Sequence, residues 1–167
     1  MPLEKHLIVH LQEMLASERD YREYLDGWSD KVTNPQLRAA VRHQINDIQQ
    51  EMDIIRRCMS SLGTAPKEEL KSPLVQSFRQ EDEVTMDEMP DATPADMDVH
   101  LCLSDIKFGH SEVGIYQGMI DMAKALNRSD LVDLLQENFR SEQRDIQQMQ
   151  NLLPTLINQA RGWRQAA

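Results

Sequence analysis

The sequence predicts an all-α protein: a four-helix bundle with one long crossover that carries a short extra helix. Two observations lead there. Four long segments (3–32, 35–62, 94–126 and 129–153) repeat apolar residues at steps of three and four. Two of their three joints are tight turns, whereas the third is the connection 63–93. A tight turn forces antiparallel neighbours. A connection this long can cross the bundle from end to end, since each helix is about 40 Å long at 1.5 Å per residue.

The first helix carries the clearest stripe: Leu7, Leu11, Met14, Glu18, Tyr21, Leu25, Trp28 and Val32. This is a heptad-type face, and Glu18 is its only charged member. Asn34 is placed to cap the second helix, with Pro35 at its first position. The second helix buries Leu37, Val41, Ile45, Ile48, Met52, Ile55, Met59 and Leu62, beside a polar strip of Gln44, Asp47 and Glu51. Gly63 is expected to end it as a left-handed cap. In the connection, Lys67 to Arg79 is expected to form a short helix interrupted by Pro73, followed by a solvated acidic stretch.

Thr93, Pro94 and Asp96 have the spacing of a capping box for the next helix. Its face runs through Val99, Cys102, Ile106, Val113, Tyr116, Ile120 and Ala123. Gly109, Gly114 and Gly118 suggest close approach of another backbone, because each glycine costs a helix about 1 kcal/mol. After a turn at Asn127 and Arg128, Ser129 is expected to cap the last helix, and Pro154 to kink or end it. The tail 155–167 adds at most a turn or two. With one crossover, the second and third long helices run parallel, the connectivity of ferritin-like bundles. The spacing also leaves open an up-down bundle with 63–93 as an excursion.

The chain has 167 residues and a mass of 19.3 kDa, the size of one domain, taken as 1–167. No apolar run approaches the length of a membrane span. Met1 to His10 lacks a cleavage site, so no signal peptide is expected. Cys58 and Cys102 read as buried thiols, and a cytoplasmic setting follows. Of the net charge of −10, residues 80–98 contribute −8, as eight acids without a Lys or Arg. With no basic stripe, nucleic acid is disfavoured as a partner.

Glu18, Asp47, Glu51, His110, Glu112 and Glu142 lie near the midpoints of their helices, so a hairpin-paired bundle brings them to one height. Inward acids must be paired, protonated or bound to a cation. Carboxylate-bridged dimetal bundles use lone glutamates on two helices and Glu-x-x-His on the other two. No Glu-x-x-His occurs here. His110 and Glu112 diverge by about 200° around their helix and cannot both face one centre. The competing reading is a buried acid–arginine network, with Arg140 or Arg144 as partner, in a non-catalytic homodimeric interaction protein. Self-association is expected through the face of Gly109, Gly114 and Gly118 or through the tail at Trp163.

Residues 5–155 resemble the ferritin-like YciE/YciF family of bacterial stress-response proteins. The likeness rests on Leu-Ala-Ser-Glu18, on Pro35-Gln-Leu-Arg-Ala-Ala-Val with Leu62-Gly63, on Glu112-Val-Gly-Ile-Tyr116, and on Leu134-Leu-Gln-Glu-Asn-Phe-Arg-Ser-Glu142. The resemblance implies a bundle that often dimerises and a dinuclear iron or manganese centre, with Glu18, Asp47, Glu112 and Glu142 as surviving acids. Gln44 stands where the family has His, Asp47 where it has Glu, and Gly109 where a further Glu is expected. A partly eroded site follows, with iron or manganese favoured over zinc and copper by its oxygen-rich donors. Its expected chemistry is redox handling of oxygen or peroxide, with Tyr116 nearby.

Overall fold

A computed structural model describes the backbone of residues 1–166 and the side chains of residues 1–162. Five helices follow in order: α1 (Pro2–Ser29), α2 (Pro35–Ser61), α3 (Pro73–Glu88), α4 (Pro94–Ala125) and α5 (Ser129–Ala166). Trp163, a candidate for self-association, has its side chain outside the described residues. No described helix is long and apolar enough to cross a membrane.

Hydrogen bonds between helices set their directions. From Ser17–Glu112 through Tyr21–Asp105 to the contact of Asp98 with Thr33, just beyond the end of α1, the first number rises while the α4 number falls, so these helices are antiparallel. Asn34 bonds Gln159 and Asn138 bonds the Glu51 carbonyl, so α2 and α5 are antiparallel too. With α1 and α2 reversed by their turn, α2 and α4 run parallel. The connection between them therefore crosses the whole bundle, as its length predicts. The up-down alternative is excluded. In α1 and α2 the core fills from the expected stripes, with Leu11, Leu25, Leu37 and Ile55 fully buried; in α4 the inward face is turned, so Leu101 and Met119 are fully buried while Val99, Ile106 and Val113 of the expected stripe are only partly so. Each fully buried side chain contributes about 1.5–3 kcal/mol.

The caps explain where the helices begin. Asn34 accepts from the backbone N–H groups of Gln36 and Leu37 at 2.8 and 2.9 Å. Thr93 and Asp96 form the reciprocal box. Gly63 adopts φ 67°, the left-handed conformation for which glycine carries no Cβ penalty. Asn127, at φ 54°, makes the corresponding turn before α5. Ser129 is the first residue of that helix rather than its cap, and the Arg128 carbonyl accepts from Leu131 and Val132.

Two further expectations are corrected. The crossover helix starts at Pro73, behind a Ser72 cap that accepts from Val75, and it takes in the acidic stretch as far as Glu88. Val75, Phe78 and Asp82 turn inward at helical spacing, so this segment is a packed element and not a solvated linker. Pro154 does not end α5. Leu156 and Ala160 are buried beyond it, and Gln159 accepts from Asn34. That packing outweighs the hydrogen bond that proline removes.

Asp98 ties the first turn to α4. Its carboxylate accepts from the Thr33 N–H at 3.0 Å, the Thr33 hydroxyl at 2.6 Å and the Asn34 N–H at 2.8 Å. Asp98→Ala is expected to lower stability by about 2–4 kcal/mol, because it removes the acceptor of three donors, one of them the buried Asn34 N–H. Urea unfolding measures this, and an unchanged midpoint would refute it.

Candidate metal centre

Each of the four long helices places one glutamate on its inward face. Glu18 comes from α1, Glu51 from α2, Glu112 from α4 and Glu142 from α5, with relative exposures of 0%, 2%, 1% and 7%. Helical period supplies the reason: each sits three or four residues from an inward neighbour, as in Met14–Glu18, Ile48–Glu51, Phe108–Glu112 and Asn138–Glu142. Antiparallel pairing then brings the four helix midpoints to one level. One oxygen each from Glu18, Glu112 and Glu142 lies within 4.8 Å of the others.

The polar satisfaction of this chamber is incomplete. Tyr116 donates its hydroxyl to Glu18 Oε1 at 2.7 Å, and Ser17 donates to Glu112 Oε1 at 3.2 Å. Asn138 bridges the Tyr116 hydroxyl and the Glu51 carbonyl, both at 3.1 Å. Glu18 Oε2 and both carboxyl oxygens of Glu51 have no hydrogen-bond partner. Among the described residues, no ion pair involves any of the four glutamates. Arg140 and Arg144 are exposed, so the buried acid–arginine network is not formed.

Four acids in so small a space cannot all ionise alone. Burial, then the charge of neighbouring Glu112 and Glu51, raises Glu18 well above the ordinary carboxyl range. Burial raises Glu142 likewise, with Glu112, Glu51 and Glu18 adding to it. Burial moves Glu112 to about 8, and Glu51 to about 7. Ser141 and Glu142 lie near enough to Glu51 to ease its ionisation, although neither completes a hydrogen bond. Glu142 and Ser17 act the other way on Glu112, easing its ionisation, but burial and the charge of Glu51 outweigh them. Without a cation, the chamber holds protons at neutral pH.

A second polar group adjoins it. Asp105 accepts from the Tyr21 hydroxyl at 2.5 Å and from Gln44 Nε2 at 2.8 Å. Asp145, pushed up to about 8 mainly by burial, faces the same side. A cavity of about 10 Å³, room for the centre of one water, is lined by Tyr21, Gln44, Asp105, Gly109, Glu142 and Asp145. Gly109 is part of the design. A Cβ there would lie 2.7 Å from Ile146 Cγ1 and 3.6 Å from Glu142 Oε2. Here a side chain, not a backbone, makes the close approach. Gly114 and Gly118 have open space around them.

Of the sequence candidates, Glu18, Glu112 and Glu142 come together, with Glu51 beside them. His110 is exposed, one position and 100° beyond Gly109, and takes no part. Asp47 turns out of the chamber towards His43, 3.5 Å away, because Gln44, Ile48 and Glu51 occupy the inward arc of α2. Asp105, Asn138 and Ser17 were not among the candidates. Asp105 precedes Gly109 by four residues and Glu112 by seven, a spacing that would have marked it.

Residues 2–161 match the family described as a domain of unknown function, DUF892. The chain belongs to this family. Its fold matches the E. coli stress protein YciF with a TM-score of 0.84 at 17% identity, covering 93% of this chain and 97% of that one. A protein from Xanthomonas campestris matches at 0.76 and 16% identity, over 99% of both chains. YcfI from Rhodopseudomonas palustris matches at 0.81 and 20%, over 89% and 92%. No protein of curated function matches the sequence. The YciE/YciF resemblance drawn from the motifs is thereby upheld.

Two outcomes follow for the metal-free chain. Groups whose folded pKa is raised add stability that is complete below their unfolded value near 4 and is lost as pH rises through the folded value. With Glu51 at about 7 and Glu112 and Asp145 at about 8, melting temperature in chelator should fall from pH 5 to pH 9. Each group contributes up to about 1.4 kcal/mol per pH unit, and Glu112→Gln should flatten the profile. A rise across that range would overturn the assignment. For packing, Gly109→Ala should cost about 1–3 kcal/mol by overfilling the space at Ile146, whereas Gly114→Ala should gain up to about 1 kcal/mol. Denaturant titration of both variants checks the contrast in sign.

Proposed function

We propose that this chain is a ferritin-like, stress-associated protein whose four-glutamate chamber holds a hard divalent cation, manganese or iron ahead of zinc. The observation that carries the reading is the set of buried carboxyl oxygens left without partners at Glu18 and Glu51, beside the convergent trio of Glu18, Glu112 and Glu142. Buried acids without basic partners are costly, and a cation resolves that cost. Because every donor is oxygen, the set suits hard ions and disfavours copper. The stress association is drawn from the printed description of YciF.

In this reading Glu18, Glu51, Glu112 and Glu142 supply the ligands. Tyr116 holds Glu18 in position, and Asn138 holds Tyr116. Ser17 does the same for Glu112. A bound redox metal supplies one-electron chemistry with oxygen or peroxide. The protein's own part is to surrender the protons of Glu112 and Glu142 as the cation enters and to exclude bulk water. The free, buried thiols of Cys58 and Cys102, raised to about 12 chiefly by burial, suit a reducing cytoplasm.

Protein purified without chelator is expected to carry manganese or iron in stoichiometric amount by elemental analysis. Calorimetric titration of the metal-free chain with manganese should release protons and strengthen as pH rises from 6 to 8. Glu18→Ala or Glu142→Gln should weaken binding by at least about tenfold, the scale on which even outer partners of ligands act. Metal-free protein that shows no binding heat would end this reading.

A further inference from the structure

We propose that Tyr21, Tyr24 and Trp28 form a path along which single electrons pass between the protein surface and the glutamate chamber, with Asp105 and Asp82 holding the phenolic protons. The proposal rests on the reading of the chamber as a redox-metal site.

The three rings lie on one face of α1 at helical spacing. Tyr21 is fully enclosed; its ring stacks on Phe108 at 3.6 Å and 10°, and on Tyr24 at 5.4 Å and 19°. Tyr24 meets Trp28 edge-on at 6.4 Å. Trp28 is half-buried and reaches the surface. At the inner end, Tyr21 lines the same small cavity as Glu142. The array is continuous from the chamber to solvent.

What sets this array apart from ordinary aromatic packing is that each phenol donates to its own aspartate. Tyr21 donates to Asp105 and Tyr24 to Asp82 Oδ2, both at 2.5 Å. Tyrosine oxidation releases a proton, and a buried phenol without an acceptor cannot lose its electron cheaply. Neither aspartate has been placed in the chamber's ligand set. Asp82 comes from the crossover helix, where His100 at 2.8 Å and Ser104 at 3.3 Å complete its shell. Asp105 is held by Gln44.

The charges grade the path. Burial raises the Asp105 carboxyl above its ordinary value, against the pull of Tyr21 and Gln44. At Asp82 burial also acts upward, but hydrogen bonds from His100, Tyr24 and Ser104 outweigh it and leave the group below its ordinary value. Asp105 is thus the stronger proton acceptor. Arg79 lies over the Tyr24 ring at 5.7 Å and Lys31 over Trp28 at 5.4 Å, which makes the outer rings harder to oxidise. An electron vacancy is therefore most stable at Tyr21.

The steps balance. A redox-active metal ion held by Glu18, Glu51, Glu112 and Glu142 would, in its oxidised form, supply the one-electron acceptor at the inner end; Tyr21 would give it one electron as its O–H proton moves to Asp105. Tyr24 then returns an electron to Tyr21, Asp105 gives the proton back, and the Tyr24 proton moves to Asp82. Trp28 refills Tyr24 as Asp82 returns that proton. A soluble one-electron donor at the surface restores Trp28. One electron travels inward and no net proton is moved along the path.

The test uses the metal-free full-length chain, so that failure of metal binding and failure of the path are separate results. A flash-activated ruthenium photo-oxidant with an irreversible quencher withdraws electrons at the surface, and the radical is trapped by freezing and read by electron paramagnetic resonance. The chain contains three tyrosines, so assignment is direct. A neutral tyrosyl signal is expected, shifting in Tyr21→Phe to the spectrum of Tyr24 and disappearing in the Y21F/Y24F double variant. Asp105→Asn should lower its yield about tenfold or more, the scale of a lost charge-assisted hydrogen bond. Trp28→Phe should slow its appearance. Circular dichroism confirms folding of each variant, and ring-deuterated tyrosine confirms the radical's identity. An undiminished tyrosyl signal in the double variant, a tryptophanyl signal that never passes to tyrosine, or no radical in the wild-type chain would overturn the path.

Discussion

Four carboxyl groups, one from each long helix, share an interior that holds no basic side chain among the described residues. Every other feature of the bundle accommodates that arrangement or follows from it. Like charges at this separation in a dry interior repel strongly, so the acids either keep protons or take up a cation. Glu112 at about 8 and Glu51 at about 7 mark the first condition. The unpartnered oxygens of Glu18 and Glu51 point towards the second. Protonation and cation binding are thus competing solutions to one electrostatic problem, and pH selects between them.

The scaffold is organised to keep those acids level. Tight turns align the helix midpoints within each hairpin, and Asp98 locks the first turn against α4. The crossover contributes more than connectivity. Its helix α3 lays Phe78 against Phe108 at 5.3 Å and delivers Asp82 to Tyr24 and His100. One face of α1 is thereby closed, and the aromatic residues that lead away from the chamber gain their aspartate partner. At its other end the crossover is anchored by Gln12, which donates to the Ala65 carbonyl and accepts from the Lys67 N–H.

Much of the site was legible because helical periodicity is local. Glu18 stands out as the charged member of a heptad stripe, and it is fully buried. Glu112 and Glu142 stood out by their place near the helix midpoints, and Tyr116 was visible as a donor beside them. His110 was misleading because proximity along a helix is not proximity around it: one residue beyond Gly109 points it into solvent. Asp47 failed for the same reason, since a strip at the boundary of α2 holds three polar residues and only the arc facing α1 and α5 is enclosed. Asp105 escaped notice although Asp105, Gly109 and Glu112 keep a single helical line. Its role depends on Tyr21 and Gln44, which belong to two other helices.

The all-α class, the two hairpins, the crossover and the capped starts of α2 and α4 were determined by the sequence itself, because periodicity, capping residues and turn lengths act within a few residues of chain. What tertiary structure alone decided is which polar side chains lose water. The acidic segment after Pro73 became a packed helix because α1 and α4 offer Asp82 three partners, and α5 ran past Pro154 because the bundle buries Leu156. Solvation of a side chain depends on what other helices place around it, and that sum is not written in any one stretch of residues. The proposed metal site turns on that sum. If Glu18, Glu112 and Glu142 stood in water, their carboxylates would be three unremarked surface charges and no case for a metal would exist.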